Sequence, residues 1–154
     1  MVKVYNIVLL LFMTISSVAQ NHKLPENNIK ILAFVEKNIG KRVGGGVCRA
    51  LPGHAIKQVN PSWNIFKWYG KRIPKKKAME GDMLYFKNAL IDNVYTKAHI
   101  AIIYKIMPNG TYLIAEQNVE DKPHYSTRKD SKVVISVLSS LKPKKGEIIC
   151  YRYK

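Results

Sequence analysis

Apolar positions change period along the chain, and the change divides it into a helical part and a strand part. Ile31, Leu32, Val35 and Ile39 recur at spacings of three and four, which predicts a helix over about Ile29 to Ile39 with one face buried. Asn27 or Asn28 is placed to cap it, and Gly40 to end it. A second helix is predicted from about Cys48 to Val59, although Pro52 and Gly53 oppose an uninterrupted run. Asn60 to Met79 reads as loop. Beyond it the pattern is that of strands. Gly81-Asp82 turns the chain into Met83-Leu84-Tyr85-Phe86. His99 to Ile106 and Thr111 to Asn118 flank Met107-Pro108-Asn109-Gly110, a hairpin by turn chemistry and β-branched content. Val133 to Leu138 and Glu147 to Tyr153 supply two more strands. The expected architecture is α+β: two short helices, then an antiparallel meander of about five strands.

The N-terminus has a different character. Lys3, the apolar run Ile7 to Ile15 and the small residues Ser17-Val18-Ala19 read as a signal peptide over 1–19. The apolar run is too short for a comfortable membrane span, so no transmembrane anchor is expected after cleavage. Residues 20–28 are a polar lead, and 29–154 a single domain. The whole chain of 154 residues is 47% hydrophobic, enough for one core. Its formal charge is +16, from 26 basic and 10 acidic residues, and the leader contributes only Lys3 to that excess. The expected setting is therefore periplasmic or secreted. A basic exported protein suits an anionic partner such as a charged cell-wall polymer, with nucleic acid disfavoured.

Gly44-Gly45-Gly46 allows a tight turn and close backbone approach, and Cys48 follows at the predicted start of a helix. Helix N–H groups there would favour a thiolate. The competing reading is a glycine-rich connector beside a structural cysteine. Cys150 lies in an apolar terminal strand and reads as a core residue, although export would permit a Cys48–Cys150 bridge. In the hairpin, a four-residue loop pairs Ile106 with Thr111 and sets His99 opposite Asn118, with Glu116 two residues along on the same face. A three-residue loop with a bulge would present Gln117 to the histidine instead. Trp63, Phe66, Trp68 and Tyr69 stand among basic residues, either as a ligand platform or as anchors pinning a long loop to the core. His22, His54 and His124 show no metal-ligand spacing with the cysteines, and the glycine run lacks a phosphate-loop ending. No cofactor or metal is expected.

Taken together, Val-Gly-Gly-Gly-Val-Cys-Arg-Ala-Leu, Gly-Asp before a strand, His-x-Ala-Ile-Ile and Ala-Glu-Gln-Asn resemble the CHAP amidase/peptidase domain. The wider group is the NlpC-type, papain-like cysteine hydrolases. The glycine–cysteine stretch and Glu-Gln-Asn are especially similar to a cysteine-proteinase-fold domain of fungal actin-patch adaptor and plant proteins. The resemblance spans about Ile29 to Tyr153 and implies a papain-like fold, two or three N-terminal helices followed by the sheet. It implies Cys48 as nucleophile, His99 as general base, Glu116 as the group orienting the imidazole, and Asn118 as a polar residue near the oxyanion. Gly46, Gln117, Trp63 and Trp68 would contact substrate. Departures are Pro52-Gly53 and Arg49, where an aromatic is expected. The implied activity is hydrolysis of peptide amide bonds, cell-wall peptide above all. Alternatives are a non-catalytic binding module of the same fold and a basic secreted protein with a structural Cys48.

Overall fold

The computed structural model describes residues 23–64, 69–118 and 131–154. The stretch 1–19 expected to be a signal peptide, with His22, Phe66, Trp68 and His124, lies outside these residues. Two helices, α1 (Glu26–Asn38) and α2 (Ala50–Lys57), precede six strands: β1 (Lys71–Ile73), β2 (Met83–Ile91), β3 (Val94–Ile106), β4 (Tyr112–Glu116), β5 (Val134–Leu138) and β6 (Lys145–Arg152). The α+β class agrees with the hydrophobic pattern. Among the described residues no helix is long and apolar enough to cross a membrane.

α1 starts earlier than the pattern predicts, at Glu26 behind Pro25, and no side chain caps it. Asn28 is fully buried and has another task. Its Nδ2 donates to the Glu80 carbonyl at 2.6 Å and to Asp82 Oδ1 at 3.0 Å, tying the helix to the turn before β2. Gly40 follows the helix with φ 76°, and its N–H bonds the Val133 carbonyl at 2.9 Å. α2 begins at Ala50, two residues later than expected. That displacement puts Pro52 in the first turn, where helix N–H groups have no intrahelical acceptor and proline is tolerated. Gly53 is a packing requirement: a Cβ there would stand 2.7 Å from the Trp63 ring.

The sheet has the order β1-β6-β2-β3-β4-β5, antiparallel throughout. It is therefore not a five-strand meander. β1 comes from the stretch read as loop, and the last strand inserts between β1 and β2. β2 and β3 are longer than the pattern predicts and meet at Asp92-Asn93, where both residues have positive φ (48° and 64°). This is the twist-matched two-residue hairpin turn, which small polar residues tolerate.

The β3–β4 register carries the site. Ile106 pairs with Tyr112, not Thr111, so the connection is one residue longer than expected. A bulge between Ile103 and Lys105 then restores the pairing to Ile103–Ile114 and Ile102–Ala115. The two departures cancel. Continued along both strands, this register sets His99 opposite Asn118 and leaves Glu116 on the face of His99.

Alternate strand residues feed two cores. On one face Met83, Ile100, Ile102 and Ala115 pack under Ile31, Val35, Leu51 and Ile56 of the helices, with Trp63. On the other, Leu84, Phe86, Ala101, Ile103, Ile114, Ile148 and Cys150 pack together. Ile73 of β1 and Leu138 of β5 join this second cluster from opposite ends of the strand order, so it runs across the whole sheet.

Candidate active site

The glycine loop is held from below by one side chain. Gln117, fully buried, accepts a hydrogen bond from the Val43 N–H at 2.7 Å. Its Nε2 donates to the Val43 and Val47 carbonyls at 3.1 and 3.2 Å. Both amide hydrogens are committed to the loop, so Gln117 acts as a bracket and has none left for substrate. Gly44 and Gly46 take positive φ (51° and 76°) within the loop. At Gly44 a Cβ would stand 2.8 Å from the His54 ring, so loop and helix approach as closely as the absent side chain allows.

Cys48 sits in the turn between this loop and α2. The ring of His99 and the backbone N–H groups of Ile100 and Arg49 lie near enough to lower its thiol. The Ile103 N–H donates to the Asp82 carbonyl and its carbonyl accepts from the Gly81 N–H, so the N–H of Ile100 points the other way, toward β4. β4 ends at Glu116. Cys48 thus arrives from the helix side and ends at the edge of β3, within reach of a histidine on the opposite face.

His99 bonds Glu116 through Nε2, at 2.8 Å from Oε2, which leaves Nδ1 for the thiol. Phe86, its cross-strand partner, packs against the ring with centroids 5.9 Å apart. Burial opposes charge on the imidazole. The hydrogen bonds to Cys48 and Glu116, and the negative charges they carry, outweigh it and push His99 up to about 9. Burial likewise pushes the Cys48 thiol up, but the hydrogen bond and charge of His99, with the two backbone donors, leave it lowered from 9.0. Both shifts favour the thiolate–imidazolium form of the pair over the neutral one.

A cavity of about 490 Å³ opens beside the pair, lined by Cys48, His99, Glu116 and Asn118. These four predicted residues come together. Asn118, with φ 61°, turns the chain at the end of β4 and is the amide side chain that reaches the cavity. Of the predicted substrate contacts, the three among the described residues do not gather there. Gly46 is buried in the loop, Gln117 brackets it, and Trp63 is only 5% exposed, stacked beside Gly53 and 5.7 Å from the Tyr69 ring. The description of Trp63 as an anchor, the alternative to a ligand platform, is the one that fits. The sequence reading assigned no role at the site to Tyr69. Burial, and then the negative charge of Cys48, push its phenol up to about 12. Its place at the end of the aromatic run that begins at Trp63 was the available signal.

Cys48 and Cys150 are both free. Cys150 lies on β6 in the second core, and burial followed by the Asp82 charge pushes it up to about 11. Among the described residues no cluster of histidine, cysteine and carboxylate could hold a metal ion. Comparison with models of known families, with curated proteins and with solved structures finds no match.

Proposed function

We propose that this chain is an exported, cysteine-dependent hydrolase of peptide amide bonds on a papain-like framework. The observation that supports this best is Cys48 beside His99, which is itself hydrogen-bonded to Glu116, along the wall of an open cavity. Cys48 attacks the carbonyl carbon of the scissile amide, and the carbonyl π electrons move onto oxygen. As the tetrahedral adduct collapses, the C–N bond breaks and the amine leaves with the proton held by His99. Neutral His99 then takes a proton from water, whose oxygen attacks the thioester and releases the acid and Cys48. Glu116 holds the ring in place and stabilises its charged form. Asn118 is the side-chain donor assigned to the oxyanion, since Gln117 is committed to the loop. Neither step calls for a cofactor.

Cell-wall peptide is the substrate that the CHAP resemblance suggests, and the basic surface suits an anionic wall polymer. The deciding experiment is cleavage of internally quenched peptides and of purified wall peptide by the parent, Cys48→Ala and His99→Ala chains. Turnover by the parent, with loss of at least about a hundredfold in each variant and no further loss in the double variant, is expected. A folded parent that binds such peptides but cleaves none would make the chain a binding module.

A further inference from the structure

The cavity is larger than the hydrolytic steps require, and apolar side chains share its lining with the polar groups of the site. Phe86, Ile91 and Leu138 form its floor, drawn from the second core. Val94, Tyr95 and Val137 stand at its rim, 61%, 58% and 69% exposed, the three most exposed large hydrophobics among the described residues. Isolated exposed apolar side chains are ordinary on a protein surface. Here all three border one concavity that also contains the thiol and the imidazole.

The remaining charges sharpen the picture. His99 and Glu116 bond each other, and Asp92 is held by Ser139, whose N–H and hydroxyl donate to its two oxygens at 3.1 and 2.5 Å. Asp92 keeps its negative charge and Lys97 adds a positive one, so the rim carries one charge of each sign and selection falls to its apolar side chains. The Asp92–Ser139 bonds, with Lys144 Nζ donating to Asn93 Oδ1 at 3.1 Å, pin the tip of the β2–β3 hairpin to the segment beyond β5. The wall is therefore built before any ligand arrives.

We propose that this cavity is the pocket that selects substrate, and that its occupant is a leucine- or phenylalanine-sized side chain on a peptide residue adjoining the scissile amide. The proposal rests on the hydrolase reading for the word scissile, and on the cavity alone for the occupant. About 490 Å³ accommodates such a side chain together with part of the flanking backbone. A short acidic or small residue would leave the apolar floor uncovered, so peptides of alanine and glutamate, wall peptide included, are predicted to be cleaved more slowly than those carrying leucine or phenylalanine beside the bond.

Two measurements test this and separate its failure from that of the hydrolase reading. In the first, N-acetyl methylamides of phenylalanine, leucine, aspartate and lysine are titrated into the Cys48→Ala chain while methyl resonances of Ile91, Val94 and Val137 are followed. The phenylalanine and leucine derivatives should saturate those shifts at least about tenfold more tightly than the other two. Val137→Asp and Val94→Asp, both exposed and checked by thermal melting, should each abolish the selectivity. Equal binding of the aspartyl derivative, or no shift with any apolar derivative, overturns the proposal. In the second, the parent is given quenched peptides varied at the residue on either side of one bond. Leucine or phenylalanine should exceed alanine or glutamate by at least about tenfold in kcat/KM at one of the two positions. A flat or inverted order overturns the pocket while leaving the hydrolase standing. Selective binding without cleavage of any peptide does the reverse.

Discussion

Replacing His99 by alanine removes two of the influences that lower the Cys48 thiol, its hydrogen bond and its charge, and leaves the largest opposing one, burial. The backbone donors of Ile100 and Arg49 remain, but they are the last and smallest of the favourable contributions. The thiol of the variant should therefore titrate near or above the ordinary 9.0. At pH 6 a thiol of pKa 9.0 is about one part in a thousand thiolate, and alkylation proceeds through the thiolate. In the parent the Cys48 thiol is lowered by His99, whose own pKa is raised to about 9, so its thiolate fraction is larger. Iodoacetamide labelling at pH 6, followed by mass spectrometry, should thus be slower in His99→Ala by at least about tenfold. The difference should narrow as the pH approaches 9 and the variant thiol ionises unaided. Cys150, buried and pushed up to about 11, should stay unlabelled in both and serve as internal control. A folded variant that labels as fast as the parent at pH 6 would mean that the two side chains do not interact in solution.

Glu116→Gln weakens one support of the His99 charge. Because His99 rises from 6.5 to about 9 on folding, the stabilisation it reports is full below pH 6.5 and is lost as the pH rises through about 9. The melting-temperature gap between parent and Glu116→Gln should accordingly be wide at pH 6 and close above pH 9; a gap that grows with pH would reverse the sign of the argument. Gln117→Leu strips partners from the Val43 N–H and the Val43 and Val47 carbonyls. It should lower stability in urea by at least about 1–3 kcal/mol and slow Cys48 alkylation, whereas unchanged alkylation would mean that the loop holds its shape without the bracket. Gly53→Ala drives a Cβ to 2.7 Å from the Trp63 ring and should destabilise by about 1–3 kcal/mol, measured in the same urea titration. Thiol titration of the denatured, non-reduced chain should find two groups, and finding none would indicate a bridge.

How much of this the sequence disclosed depends on the range of the interaction. Local signals were dependable. Alternation within β3 and β4 put His99 and Glu116 on one face, and Gly40 marked the end of α1. The hairpin register was legible through compensation: the connection is one residue longer than turn chemistry suggests, and the bulge near Tyr104 takes that residue back. The β2–β3 turn was missed because Asp92-Asn93 lacks glycine, although both residues adopt the positive φ that a two-residue hairpin needs. Long-range roles were hidden. Nothing local distinguishes a glutamine that contacts substrate from one that brackets a loop 70 and 74 residues away. Gly53 looked like a helix breaker because its reason, the Trp63 ring, lies ten residues on and is brought back only by folding. The place of β6 between β1 and β2 is likewise a property of the whole sheet, set by pairings such as Leu84–Cys150 and Ile73–Cys150.

Glu116 and Gln117 are neighbours in the chain, yet one holds the imidazole and the other holds the loop that carries the thiol. Both halves of the reactive pair are consequently referred to a single dipeptide. If α2 and its loop drift relative to the helix face of the sheet, the amide bracket carries that drift to the same point that fixes the imidazole ring. The sulfur-to-ring separation is thereby insulated from motions that the rest of the interface undergoes. The arrangement also has one point of failure. Inserting a single residue before Glu116 would turn the carboxylate toward the loop and the amide toward the imidazole, uncoupling both partners in one step while leaving every other strand in register.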